Sequence, residues 1–457
     1  MILRAALMGS ALAGLTIAPA AAADRLAMPV KAPLQSPAAD WTQFYVGGGI
    51  GFDAGTGRSD VAPIGGPVLL AFDGLRGADL GLTATAGFDV QVSPMFVLGM
   101  FADYDWSRQS TTIAVSAPAA LFSLTTPTLD SGWTVGGRAG ILVAPDVLLY
   151  GLGGLTEMRL NNWSLTVPGF ILPEPAQMLH GSTVGGGIEY RLAENLSLRG
   201  EYRYVSLGSA TTVDPLIGAT LTTSASEHVA RVMATYRSGR PGTIAPSVPH
   251  MPAAPWSGFY GGLGFGADAI TPHLNASTAG GINIDTAGLG GADIGGTAIV
   301  GYDRQVLPAW VVGAFGLFDL GSNGGTRLAV GAPGLGAFST DLAAVERSWT
   351  AGGRAGYLAA PDTLVYGLAG YTSATFHPIS YNLGFAMGTG PAPEFHGATV
   401  GGGFEKLFTN NFSARMEYRH TRLDAVSILT APGFTAVNAD ATVHTVRLIL
   451  SYRIPTP

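Results

Sequence analysis

Along much of the chain, apolar and polar residues alternate one for one. In 196–204, Leu196, Leu198, Gly200, Tyr202 and Tyr204 fall on one side, and Ser197, Arg199, Glu201 and Arg203 on the other. The same design recurs as Phe412, Ala414, Met416 and Tyr418 against Ser413, Arg415, Glu417 and Arg419. In 96–106, Phe96, Leu98, Met100, Ala102, Tyr104 and Trp106 share a face. Period two is the strand period. It predicts strands near 42–53, 80–92, 95–107, 129–144, 147–159, 180–193, 195–206 and 226–237. A second set is predicted near 257–269, 291–306, 309–321, 345–359, 363–376, 396–408, 411–423 and 441–453. Most are about 10–15 residues, enough to cross a bilayer at a tilt; strands of soluble domains average about 5–6. Tight turns at 92–94, 144–146 and 193–195 alternate with long connections at 54–79, 108–128, 160–179 and 207–225. Short turns on one side and long loops on the other is the plan of an outer-membrane barrel.

The two sets are one unit written twice. Trp133-to-Gly154 (WTVGGRAGILVAPDVLLYGLGG) recurs from Trp349 as WTAGGRAGYLAAPDTLVYGLAG. GFDVQVSP from Gly87 recurs as GYDRQVLP, and NLSLRGEYRY from Asn195 as NFSARMEYRH. A period near 215 residues is domain-sized, too long for a solenoid. The expected organisation is a signal peptide at 1–23, a Pro-rich linker at 24–40, barrel unit 1 at 41–237, a Pro-rich linker at 238–255 and barrel unit 2 at 256–457. The leader has Arg4, an apolar run from Ala5 and the small-residue stretch Ala20–Ala23, the marks of export and cleavage. The fold class is thus all-β: a transmembrane antiparallel β-barrel in two tandem eight-stranded units. The alternative is one fused ring of sixteen strands, wide enough for an aqueous channel. Each copy keeps an opening and a closing strand of its own, which favours two rings.

Composition narrows the functions. Gly is 66 of 457 residues, charged residues are 12% and mean hydropathy is positive. That balance opposes disorder. The net charge of −7 gives no basic footprint for nucleic acid. There is no cysteine, so disulfides and thiol chemistry are excluded.

By strand parity Arg138, Glu189, Arg199, Glu201, Arg203 and Arg231 face inward. Their second-copy counterparts are Arg354, Glu405, Arg415, Glu417, Arg419 and Arg447. A narrow barrel is filled by its own side chains, and buried charges there must be paired. A lumen charge network is the preferred reading over a charged pore lining or catalytic carboxylates. Aromatic residues at strand ends, Trp41, Phe44, Tyr45 and Tyr236 with Trp256, Phe259, Tyr260 and Tyr452, read as a periplasmic girdle. His180, His396, His228 and His444 show no ligand spacing and read as interfacial or loop residues. No catalytic residue, cofactor site or metal site is expected.

The openings WTQFYVGG and WSGFYGG after Pro-rich stretches, the GGRAG strands and the closing EYRY…YR segments resemble the small alphaproteobacterial outer membrane proteins of the porin-like outer membrane protein beta-barrel family. The resemblance covers both units, where that family usually has one. It implies a role in envelope integrity and surface interaction, no enzyme activity, and, for some members, porin function. The expected setting is the cell outer membrane, with its lipids, lipopolysaccharide and neighbouring envelope proteins as partners and no nucleic acid. A porin passing small solutes by diffusion is the alternative function.

Overall fold

A computed structural model describes residues 40–238 and 256–455, apart from short stretches within connections between strands. The expected leader 1–23 and most of the two Pro-rich segments lie outside the described residues.

The first half contributes β1 (Gln43–Pro63), β2 (Leu70–Gln91), β3 (Phe96–Ser107), β4 (Thr111–Ala117), β5 (Ala120–Thr126), β6 (Leu129–Ala144), β7 (Val147–Leu160), β8 (Ser164–Val167), β9 (Phe170–Pro173), β10 (Gln177–Ala193), β11 (Leu196–Asp214) and β12 (Ala219–Ser238). The second contributes β13 (Gly258–Thr278), β14 (Asn283–Ala287), β15 (Gly291–Leu307), β16 (Trp310–Leu320), β17 (Thr326–Ala332), β18 (Gly336–Leu342), β19 (Val345–Ala360), β20 (Thr363–Phe376), β21 (Ser380–Asn382), β22 (Met387–Thr389), β23 (Glu394–Leu407), β24 (Phe412–Ser427) and β25 (Phe434–Pro455).

Two rings of eight antiparallel strands result. The first runs β1-β12-β11-β10-β7-β6-β3-β2 and closes by β2 on β1. The second runs β15-β16-β19-β20-β23-β24-β25-β13 and closes by β15 on β13. The fused ring of sixteen is not formed, because the first and last strands of each copy pair with each other along almost their full length. Closure leaves neither ring an open edge in lipid, where unpaired backbone groups would be costly.

The connections expected at 54–79, 108–128, 160–179 and 207–225 are a correction: they are largely strand. β1 and β2 continue outward until only 64–69 separates them, and β11 and β12 until only 215–218 does. The remaining outer segments form hairpins that cross between units. β17 pairs with the outer end of β2 and carries β18, β21 and β22. Reciprocally, β4 pairs with β14 and carries β5, β8 and β9. Segments such as TTIAVSA and ALFSLTT are β-branched and aromatic with few charges, which suits strands.

The rings also touch along their walls. Outward-facing Phe52, Ala54, Val147, Tyr190 and Ala230 of the first pack with Ala267, Ala269, Phe404, Met416 and Val446 of the second. Small residues allow the close approach: a Cβ on Gly200 would fall 1.7 Å from the Met416 sulfur. At the short-turn end the seam is polar. Lys406 Nζ lies 3.0 Å from Asp146, 2.9 Å from Asp362 and donates to Tyr190 Oη at 3.0 Å. Tyr190 Oη also bonds Thr363 Oγ1 at 2.9 Å.

Candidate functional site

Alternation turns every second residue of a ring strand inward, and the inward residues form stacked layers. Toward the short-turn end the inward residues include two tyrosines in each ring. Tyr45 and Tyr150 in the first ring, and Tyr260 and Tyr366 in the second, are buried there. Gly87 and Gly301 make the room: a Cβ on either would lie within 2.4 Å of the facing tyrosine.

Four residues of the expected girdle therefore belong elsewhere. Trp41, Tyr45, Trp256 and Tyr260 are buried within the barrels, not at the lipid boundary. For Tyr45 and Tyr260 the cause is parity, since Phe44 and Phe259 take the outward positions. Each tryptophan precedes its first strand and tucks under the mouth. Trp41 Nε1 donates to the Pro145 carbonyl at 3.2 Å, and Trp256 Nε1 to that of Pro361 at 2.8 Å. The Arg191 and Arg237 guanidinium groups stack on Trp41 at 4.3 and 4.7 Å. Phe44, Tyr236, Phe259 and Tyr452 do face outward and are about half exposed or more.

Against these tyrosine rings lies a first charged layer. In ring one, Glu189 is met by Arg138 at 2.9 Å, Arg199 at 3.3 Å and Arg237 at 2.6 Å. Asp89 accepts from Arg138 Nε at 2.9 Å and faces Arg237 at 2.9 Å. Ring two repeats it: Glu405 with Arg354 (2.8 Å), Arg415 (3.5 Å) and Arg453 (3.4 Å), and Asp303 with Arg354 and Arg453.

A second layer follows outward. Glu201 is held by Arg203 at 2.5 Å, Arg231 at 3.2 Å and the Tyr150 hydroxyl at 2.7 Å. Arg203 also reaches Asp103, and Arg231 reaches Asp105, each at 2.5 Å. In ring two, Glu417 takes Arg419 at 3.3 Å and Tyr366 at 2.7 Å. Arg419 pairs with Asp319 at 2.8 Å, and Arg447 with Asp268 at 2.6 Å. Threonine pairs continue upward, Thr134 with Thr156 at 2.9 Å and Thr350 with Thr372 at 2.8 Å. Apolar caps complete the fill, including Leu129, Met158, Leu179 and Val205 in ring one and Ile270, Phe376, Phe395 and Leu423 in ring two.

All twelve charged residues read from parity thus come together in two sets of six. The sequence reading missed their partners Asp89, Asp103, Asp105 and Arg237, with Asp268, Asp303, Asp319 and Arg453. A signal existed for several. Asp89 and Asp303 hold matched places in GFDVQVSP and GYDRQVLP, and Arg237 shares the parity of Arg231 six residues earlier.

Each of these carboxylates is engaged by at least one guanidinium group, so the buried charges are paired within the barrels. Among the described residues no cluster of three or more His, Asp or Glu side chains has the arrangement to hold a metal ion. The histidines lie apart from the network. His180 is exposed beside Glu157 at 3.0 Å, and His396 stacks on Tyr371. His228 and His444 bond Tyr202 and Tyr418 at 2.7 and 2.8 Å. His444 is buried and reaches across the seam to the Phe52 ring.

On the outer extension of β13, eight residues beyond exposed Phe265, His273 bridges Asp440 at 2.9 Å and Asp285 at 3.2 Å. The Asp440 hydrogen bond, opposed by partial burial, raises its pKa above the ordinary histidine value. A raised folded value means the bridge is at full strength below about pH 6.5 and is lost as pH rises past the folded value. Its exposure limits the effect to at most about 1 kcal/mol. Backbone hydrogen exchange of Asn283–Ala287, corrected for intrinsic rates, should show weaker protection at about pH 9 than at about pH 5. His273→Gln should remove that difference.

The model of the family described as outer membrane protein beta-barrel domain matches twice, over 9–237 and 242–453. The 31 kDa outer-membrane immunogenic proteins of Brucella melitensis and Brucella suis are each 27% identical over 237 residues, covering 48% of this chain and 93% of theirs. Among solved structures, Neisserial surface protein A aligns over 43% of this chain and 97% of its own, at 15% identity and TM-score 0.22. A Pseudomonas aeruginosa FadL homologue aligns over 90% of both chains, at 10% identity and TM-score 0.28.

Proposed function

The chain belongs to the outer membrane protein beta-barrel family, and from that premise we propose that it serves the outer membrane as a non-conducting, non-catalytic barrel pair. Its work is structural: it anchors a surface platform, contributes to envelope integrity, and meets lipopolysaccharide and neighbouring envelope proteins through its outer sheets. The observation that carries this reading is the filling of both lumens by paired arginines and carboxylates beneath apolar caps. Opening a solute path would require breaking buried ion pairs, each costing about 3–5 kcal/mol when one partner is left alone. Reciprocal hairpin exchange supports the surface role, because it makes the outer face a joint product of both units.

The test is a deletion strain. It should lose resistance to detergent and to large hydrophobic antibiotics, and the full chain supplied in trans should restore it. Slower uptake of small solutes with the detergent barrier intact would contradict the reading.

A further inference from the structure

The seam between the barrels is not sealed along its whole height. Near the short-turn end a crevice remains, walled chiefly by Val147, Ile188, Phe404, Phe408, Met416 and Leu448, with Tyr190, Lys406 and Arg415 also bordering it. Val147 opens β7 directly after its turn, and Phe408 lies in the turn between β23 and β24, so the crevice belongs to the periplasmic leaflet. An apolar hollow open to hydrocarbon does not stay empty, because its walls would forfeit their dispersion contacts. Water is a poor filler, since the surface the walls present to the crevice is almost wholly apolar.

The rim is not apolar. Lys406 bridges Asp146 and Asp362, which remain about one-third exposed. One ammonium between two carboxylates leaves the rim one negative charge in excess. The exposed carboxylate edges favour a second cation and disfavour an anion. The rim exists only where the two units meet: Asp146 and Tyr190 come from the first, and Asp362, Thr363 and Lys406 from the second.

Resting on the outer-membrane placement, we propose that the seam is a lipid site: one acyl chain of a periplasmic-leaflet phospholipid lies in the crevice, and its headgroup amine is received by Asp146 and Asp362. The bound class is an aminophospholipid, and the lipid acts as the filler that completes the barrel–barrel contact.

Native mass spectrometry of the full chain tests this after equilibration in vesicles of dioleoyl-phosphatidylethanolamine or dioleoyl-phosphatidylglycerol. The folded state is checked first by heat-modifiable gel migration. The expected result is one retained phosphatidylethanolamine per chain, with retention of phosphatidylglycerol about tenfold lower, the preference of one charge-assisted contact. Leu448→Trp, a lipid-side residue able to fill the crevice, should abolish retention. Asp146→Asn with Asp362→Asn should keep one lipid but erase the headgroup preference. Equal retention of both lipids by the wild-type chain, no lipid beyond random adducts, or unchanged retention in Leu448→Trp would overturn the proposal. Failure of those tests on heat-modifiable protein would leave the outer-membrane reading standing; loss of heat-modifiability itself would count against that reading instead.

Discussion

Glu189→Ala should abolish or sharply reduce refolding of the chain into detergent micelles, seen as loss of the heat-modifiable folded band. Glu189 is fully buried and is met by three guanidinium groups, those of Arg138, Arg199 and Arg237. Removing the carboxylate leaves Arg138 and Arg237 sharing Asp89 and takes from Arg199 its ion pair, with Arg138 and Arg199 stacked around the Tyr45 ring. Stranding a buried charge costs about 3–5 kcal/mol, a large part of the total stability of about 5–15 kcal/mol available to a domain. Glu189→Gln keeps an acceptor and should be milder. Glu405→Ala should do the same to the second barrel, where Arg415 would lose its ion pair and Arg354 and Arg453 would share Asp303. Refolding of Glu189→Ala at the wild-type yield and midpoint would mean the network contributes little.

The second large effect is at the seam. Gly200→Leu should separate the barrel walls, because even a Cβ there overlaps the Met416 thioether, whose Sδ and Cε would lie 1.7 and 1.8 Å away. The thioether can swing aside for a small group but not for an isobutyl chain among Phe404, Tyr190 and Phe52. The measurable consequence is loss of a crosslink. The chain has no native cysteine, so the pair Asp146→Cys and Lys406→Cys can be introduced where the native side chains meet 3.0 Å apart across the seam, outside the apolar cluster around Gly200. A short bis-maleimide should crosslink the pair within one chain in the otherwise native protein. Adding Gly200→Leu should cut the crosslinked fraction about tenfold, the effect of about 1.4 kcal/mol, within the overpacking range of about 1–3 kcal/mol. Each barrel should stay folded, since neither lumen is touched.

How much of this was legible in the residues follows from the range of the interactions. Alternation along Leu196–Tyr204 is local, so it gave the strands and the inward parity of Arg199, Glu201 and Arg203. Duplication then doubled every reading, and the early repeat of opening and closing strands anticipated two rings. The aromatic openings misled because Trp41 and Tyr45 look the same in sequence whether they face lipid or the mouth. Parity with outward Phe44 places Tyr45 inside, and the Pro145 carbonyl with the cation stack of Arg191 and Arg237 holds Trp41 there. The outer hairpins were hidden for a different reason. Phe72 opposite Val330 and Val115 opposite Ile284 are pairings between distant segments of different units, and no local period encodes such a register. The seam left one faint mark: Lys406 occupies an outward strand position where the first copy has Tyr190. A lysine facing lipid is costly unless covered, and here the other barrel covers it.

The most direct measurement of the central claim is conductance of the purified, heat-modifiable chain in a planar lipid bilayer. Two rings, each filled by its own ion pairs and caps, predict a silent trace at every salt concentration, in the wild-type protein and in the seam variants alike. Stable ohmic steps that scale with salt would contradict that claim and require an open aqueous path through at least one of the barrels.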